Sequence, residues 1–183
     1  MTTVFTHALV PLALGAALDR RMVSGRLLVA GAVCGVLPDA DVLSLQFAVA
    51  RGSLLSHRGF THSLGFACLL GVLAAVLAPQ LRARRGAAFG FVFLSTLSHP
   101  LLDMLTNGGS GVALGFPFSS ERVFFSWRPI LVAPISAARF FSERGWRVLQ
   151  SELVWVGLPL AGLALLIWLW RRGRSPAPDT SIS

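Results

Sequence analysis

Lysine and tyrosine are missing from this 183-residue chain, and charge of either sign is scarce. All 16 basic residues are arginine, acidic residues number eight, and charged side chains make up 13% of the sequence. A soluble domain carries about 25%. With 54% hydrophobic residues and a mean hydropathy of +0.69, the composition excludes that class and predicts a polytopic membrane protein. The two cysteines, Cys34 and Cys68, lie inside apolar runs, which excludes a disulfide framework and reads each as a small buried hydrophobe. The absence of lysine is taken as the mark of a GC-rich genome and carries no functional weight. No basic stretch precedes the first apolar run. Arg20 and Arg21 follow it instead, so the run reads as a retained helix rather than a cleaved signal.

Five apolar segments stand out, at about 4–18, 27–37, 61–78, 87–105 and 153–170. The last three are long enough to cross a hydrocarbon core of about 30 Å at about 1.5 Å per residue, and the first two are short for it. The expected fold is therefore all-α: a polytopic membrane helix bundle in one integral-membrane domain over 1–174, with 175–183 a disordered tail. Residues 106–152 are expected to form an outer-face loop and an interfacial amphipathic helix carrying Arg139, Arg144 and Arg147.

The formal net charge of +8 raises the question of nucleic acid, but the arginines sit in small clusters between apolar runs, a membrane-topology pattern. No nucleic-acid partner is expected. Arg20, Arg21 and Arg26 share one connection, Arg82, Arg84 and Arg85 another, and Arg171, Arg172 and Arg174 follow the last segment. If these face the cytoplasm, the N-terminus is outside and the C-terminus inside. All four histidines and three of the five aspartates then fall at the same, outer face.

Each motif has a plain reading as well as a chemical one. In "LSHPLLDML", His99 and Asp103 are four apart, about 40° around a helix, so they share a face. Pro100 between them predicts a kink, and the plain reading is a polar pair bonded inside a bundle. In "GVLPDADVLS", a turn after Pro38 lets Asp39 and Asp41 approach one site, although Pro and Asp are also ordinary turn residues. In "SHRGFTHSLG", His57 and His62 are five apart, about 140° on a continuous helix. A break at Gly59 with Thr61 as helix cap lets loop and helix each offer one imidazole. His7, in "FTHALVP", is either a further ligand or a polar residue at a helix start.

Taken together, His7, Asp39, Asp41, His57, His62, His99 and Asp103 form an imidazole–carboxylate set without thiolates, suited to one or two divalent ions, zinc first and manganese or iron next. Such an ion brings the pKa of its water toward neutrality and polarises the bond under attack, which predicts metal-assisted hydrolysis. Asp41 is the expected general base, with His57 and Arg58 beside it as catalytic candidates. Arg58, Arg122 and Arg128 are candidates for holding an anionic substrate group, and Phe116, Phe118, Phe124, Phe125 and Trp127 suit the lipid interface.

The stretches "THALVPLALG", "GVLPDADVL", "SHRGFTHSL", "SHPLLDMLTNGG" and "PFSSERVFF", over about residues 6–130, resemble the YdjM-like (LexA-regulated) family of membrane-bound metal-dependent hydrolases. The resemblance implies a multi-span protein of the bacterial inner membrane, with the seven His and Asp residues at the family's characteristic polar positions and Arg58 within its His-Arg-Gly motif. The expectation is a membrane hydrolase acting at the outer face on a phosphoester in a lipid or amphipathic substrate, with membrane lipid as its surroundings and the oligomer left open. The rivals are a metal-ion transporter or sensor and a non-enzymatic membrane protein with a structural metal. Little polar lies in the third and fifth segments beyond Ser63 and Cys68, which weighs against transport.

Overall fold

Runs of leucine, valine, alanine and glycine leave a backbone in lipid no hydrogen-bond partner but itself, and the chain answers with helices. The computed structural model describes residues 1–18, 20–46, 49 and 53–172. Within them lie α1 (Val4–Ala17), α2 (Gly25–Val36), α3 (Leu64–Val76), α4 (Arg85–Met104), the single turn α5 (Ala137–Phe140), α6 (Glu143–Glu152) and α7 (Leu158–Arg172). No strand forms among the described residues. Two isolated bridges, Thr106 with Ile130 and Val112 with Val123, tie the long loop after α4. The fold is the expected all-helical membrane bundle; the tail 175–183 and Arg174 lie outside the described residues.

Three boundaries differ from the expectation, each for a local reason. The second segment is longer than 27–37, because α2 continues into a 3₁₀ helix, Leu37–Gln46, and the helical stretch Gly25–Ser44 reaches 20 residues. The third is shorter than 61–78: α3 has 13 residues and starts at Leu64, capped by Ser63 rather than Thr61. The Ser63 hydroxyl accepts from the Phe66 amide at 3.1 Å, as an N-cap does. The stretch expected as a separate interfacial helix instead opens the last one, a 30-residue helical run Glu143–Arg172. Arg139 stays on α5, while Arg144 and Arg147 are on α6. A wide π turn, Leu153–Gly157, joins α6 to α7 just ahead of Pro159. The proline ring would meet the carbonyl one turn back, and the wider turn relieves that. The helix α4, by contrast, runs through Pro100 without a break.

The most buried of the long apolar helices is α4, about half enclosed, and α1, α2 and α3 pack on it. The run Glu143–Arg172 is only 6% buried over its apolar part, so this helix turns its leucines and tryptophans outward. Close helix approach rests on small residues. A Cβ at Gly31 would come within 2.3 Å of the Phe91 ring, and one at Gly35 within 3.2 Å of the His7 carbonyl oxygen.

The helices alternate in direction. The run Glu143–Arg172, α1 and α3 start at one end of the bundle, where α4 and the α2–3₁₀ stretch finish. At the other end Arg26 Nη1 donates to the Gln80 carbonyl at 3.0 Å, the Ser24 hydroxyl donates to the Leu81 carbonyl, and Arg171 Nη1 donates to the Ala17 carbonyl at 2.7 Å. The expected arginine clusters, as far as they are described, therefore gather at one end. Next to them Val23, Leu27, Ala74, Ala78, Ala88, Phe91 and Val92 form a wholly apolar plug. Substituting Gly31→Leu is expected to cost about 1–3 kcal/mol by overpacking against Phe91, read as a lower Tm in detergent. Gly162→Leu, whose Cβ has nothing within 4 Å, should leave Tm unchanged.

Candidate metal centre

The end of the bundle opposite the arginines collects the polar residues. His7 comes from α1, Asp39 and Asp41 from the 3₁₀ helix, His57 and Arg58 from the following loop, His62 from the 3₁₀ turn Phe60–His62, and His99 and Asp103 from α4. His7, His62, His99 and Asp103 are wholly buried and Asp39 nearly so. The "HRG" turn makes this possible. Arg58 adopts φ 66°, a left-handed conformation unusual for a side chain of its size. At Gly59 any Cβ would sit 2.1 Å from the Leu54 carbonyl oxygen. The chain thus folds back, and the rings of His57 and His62 meet edge to face at 5.4 Å.

Asp39, His62, His99 and Asp103 form an inner group whose ligand atoms all lie within 4.8 Å of one another. His99 Nδ1 lies 2.7 Å from the Gly35 carbonyl, which can only accept, so Nδ1 carries the proton. His62 Nδ1 faces Asp41 Oδ2 at 3.1 Å and is fixed the same way. In the neutral rings both Nε2 atoms are then bare, yet they stand 3.1 Å apart. Asp39 Oδ1 is 3.3 Å from His99 Nε2 and 3.9 Å from His62 Nε2, and Asp103 Oδ2 is 3.7 Å from His62 Nε2. Both Asp39 oxygens and Asp103 Oδ2 are buried without a hydrogen-bond donor. Lone pairs of like character this close need a cation among them. Ligands at about 2.0–2.2 Å from a tetrahedral ion stand about 3.3–3.6 Å from one another, and the distances here bracket that spacing. The donor set therefore fits a small divalent ion. His7 borders the group: its ring stacks on His99 at 3.4 Å, and its Nε2 is 3.6 Å from Asp103 Oδ1 and 3.8 Å from Asp39 Oδ2.

Asp41 works differently. Its carboxylate faces His57 Nδ1 at 2.6 Å and His62 Nδ1 at 3.1 Å, and accepts from the Thr61 hydroxyl at 2.5 Å and the Arg58 amide at 3.1 Å. Asp41, His57 and His62 are also close enough for a second ion. With its lone pairs so occupied, however, Asp41 is arranged to orient two imidazoles, as an outer carboxylate does beside a metal-bound histidine. His57, held by Asp41, is the most exposed member of this second group.

The three arginines have separate fates. Arg58, 1% exposed, pairs through Nε with Asp103 Oδ2 at 2.9 Å. It also donates to the Gly108 carbonyl and the Thr106 hydroxyl, each at 3.0 Å. The Nε–Oδ2 contact is an ion pair without hydrogen-bond alignment. Arg58 is thus the internal counter-charge of Asp103, not the anion contact the sequence suggests. Arg122 spends its donors on the loop, reaching the carbonyls of Ser53 and His57 and the Ser56 hydroxyl at 2.8–3.1 Å. Burial lowers its pKa, with Asp41 opposing and Arg58 adding to the shift, and it stays cationic at neutral pH. Arg128 is exposed, stacked over Phe124 at 4.8 Å.

Several partners escape a reading of the sequence. The Thr2 amide donates to Asp103 Oδ1 at 2.9 Å, and Thr106 holds Arg58. Glu152, 3% exposed, accepts from the Thr3 amide at 2.5 Å and from the Thr3 and Thr6 hydroxyls at 2.5 and 2.6 Å. It caps α1 from another helix and so fixes the turn that carries His7. A carboxylate beside the apolar run "LVWVGLP" was the available signal. Replacing Arg58→Met takes from Asp103 the nearer of its two counter-charges, leaving the Met1 ammonium at 3.8 Å, and is expected to cost up to about 3–5 kcal/mol, seen as a lower Tm and lower membrane yield; Arg128→Met should change neither.

A family model described as YdjM inner membrane protein matches residues 1–174, so the match takes in α5, α6 and α7 beyond the motif-bearing stretch. The inner membrane protein YbcI of Escherichia coli (strain K12) is 46% identical over 175 residues, covering 95% of this chain and 100% of that protein. No solved structure matches the chain. A helix bundle with a buried His/Asp group able to hold a metal ion, this chain belongs to the YdjM inner membrane protein family.

Proposed function

We propose that the chain is a metal-dependent hydrolase embedded in the bacterial inner membrane, cleaving a phosphoester in a lipid or amphipathic substrate. One observation carries this reading: the donor-less oxygens of Asp39 and Asp103 face the bare Nε2 atoms of His62 and His99, right beside the partly exposed His57–Asp41 pair. A structural metal alone does not call for the second half of that arrangement. Asp39, His62, His99 and Asp103 would hold the ion, with His7 beside them; zinc suits the set best, with manganese or iron next. When bound, the ion supplies Lewis-acid polarisation and a water acidic enough to serve as nucleophile near neutral pH.

The chain's own residues do the rest. Asp41 accepts a hydrogen bond from His57 Nδ1–H and leaves His57 Nε2 to take a proton from the attacking group and return it to the leaving group. The same carboxylate sets the tautomer of His62. Arg58 balances Asp103, so the centre keeps enough negative charge for a divalent cation without an unpaired buried carboxylate. Arg128, exposed beside Phe124 and near Trp127, remains for an anionic head group. By the positive-inside rule the arginine end faces the cytoplasm, which puts the centre and the N-terminus at the outer face and the C-terminus inside. Transport through the bundle is the weaker reading. Below the centre, the Ser95 and Thr96 hydroxyls donate to carbonyls of their own helix, and the apolar plug closes the far end.

Purified protein should contain stoichiometric transition metal and hydrolyse phosphoester lipids in a chelator-sensitive way. Asp41→Asn should weaken metal affinity or activity by about 10–100-fold. His57→Gln should keep its metal while losing about 10²–10⁴-fold in rate. Metal-free protein whose function survives His62→Ala and Asp103→Ala would sink the hypothesis.

A further inference from the structure

A cavity of about 410 Å³ opens beside the centre, between the start of α1, the 3₁₀ helix and the turn leading into α5. Its walls are mostly apolar, from Phe5, Val42, Ile135, Phe140 and Phe141, and its polar members are Asp39 with Met1, Thr2 and Thr3 at the start of the chain. Three of the walls are aromatic and touch in series: Phe5 and Phe140 at 6.4 Å between ring centroids, Phe140 and Phe141 at 5.3 Å. The polar and apolar parts differ in depth. Asp39 is 8% exposed, whereas Phe5 and Phe141 are 69% and 85% exposed. The cavity thus runs from open aromatic walls to a buried carboxylate that belongs to the metal centre.

Its outer side is continuous with the bilayer-facing surface of α1, where Val4, Leu9 and Leu12 are exposed. What reaches such an opening sideways is hydrocarbon. We propose that this cavity seats one hydrocarbon chain of a membrane lipid and so delivers the lipid's polar end to Asp39. The inference deepens the proposed function by naming how the substrate enters, and it rests on that reading only for what happens at the polar end. A chain that leaves the bilayer for this groove exchanges one apolar environment for another and gains little. The groove therefore acts by position: it fixes where along the molecule the head begins, while the polar end supplies the affinity. Small sites of this kind, mostly apolar with few convergent polar groups, are the usual form of a ligand pocket.

The test uses the full chain in nanodiscs of phosphatidylethanolamine and phosphatidylglycerol carrying an acyl-chain diazirine, irradiated and mapped by mass spectrometry. Adducts should concentrate on Phe5, Ile135, Phe140 and Phe141 over the lipid-facing Leu163 and Leu166 of α7, by about tenfold, the ratio that 1.4 kcal/mol of preference gives. Filling the groove with Ile135→Trp should remove that excess while metal content and Tm stay unchanged. Val42→Trp, from the opposite wall, repeats the test if the first variant fails to fold. Adducts spread evenly over α7 and the groove overturn the proposal, as does an excess that survives both substitutions. Groove residues left unlabelled because two chains cover them, seen as a dimer by native mass spectrometry, also overturn it and give the surface to a second copy. The readout needs no turnover, so the two ideas can fail separately. Groove labelling without hydrolysis retains the groove and removes the hydrolase, and hydrolysis with even labelling does the reverse.

Discussion

Asp39, Asp41 and Asp103 bring negative charge into the end of an apolar bundle, and the surrounding structure is largely the means of tolerating it. A carboxylate out of water needs donors, counter-charge or a metal, or it will not stay ionised. Each aspartate meets this demand in its own way. Asp41 takes four donors from His57, His62, Thr61 and the Arg58 backbone. Asp103 takes the Thr2 amide and the Arg58 charge. Asp39 has imidazoles around it but no hydrogen-bond donor, so it is the member whose placement makes least sense without a cation.

That demand reaches outward into the fold. To supply the donors, α2 must extend as a 3₁₀ helix past Pro38, the loop must turn back at Arg58 and Gly59, and α1 must begin near Asp103. Glu152 and the π turn hold the start of α1 in place from the last helix. Gly35 lets α2 lie close to both α1 and α4, where a Cβ would meet the His7 and Ser95 carbonyl oxygens at 3.2 and 3.4 Å, and its own carbonyl reaches His99. The long loop after α4 returns to the same place: the Ala113 amide donates to the Arg58 carbonyl at 3.1 Å, and Arg122 ties the loop to residues 53–57. At the far end no carboxylate among the described residues is buried between these helices, and apolar side chains from Ala74 to Phe91 close the bundle. The bundle therefore has one end that collects histidine and aspartate and another where arginines lie beside an apolar plug.

Much of this could be read from the residues. His99 and Asp103 share a helical face because the spacing of four fixes it, and they meet as that spacing requires. Gly59 breaks the chain as its place between two histidines suggested. Each of the five apolar runs carries a helix, α1, α2, α3, α4 and α7, while the short α5 and α6 lie outside them. What went unread were effects of contact between distant parts. Ser63 and not Thr61 caps α3, because Asp41 already engages the Thr61 hydroxyl. Arg58 looked like an anion contact because a sequence does not show that Asp103 lies 2.9 Å from its Nε. Glu152 looked like part of an amphipathic surface until α1 was seen to start against it.

By itself the sequence determined the class of the molecule and the inventory of its site: a lysine-free, leucine- and alanine-rich chain that must form membrane helices, with four histidines and three aspartates bunched where those helices end. Local physics suffices for that, since lipid forces backbone self-pairing and helical spacing sets which side chains share a face. Only the tertiary structure decided how the inventory is divided. It set Asp39, His62, His99 and Asp103 facing one another, turned Asp41 into the support of two imidazoles, and buried Arg58 as a counter-charge. Those roles depend on distances of a few ångströms between residues up to about a hundred positions apart, which only packing of the whole bundle fixes.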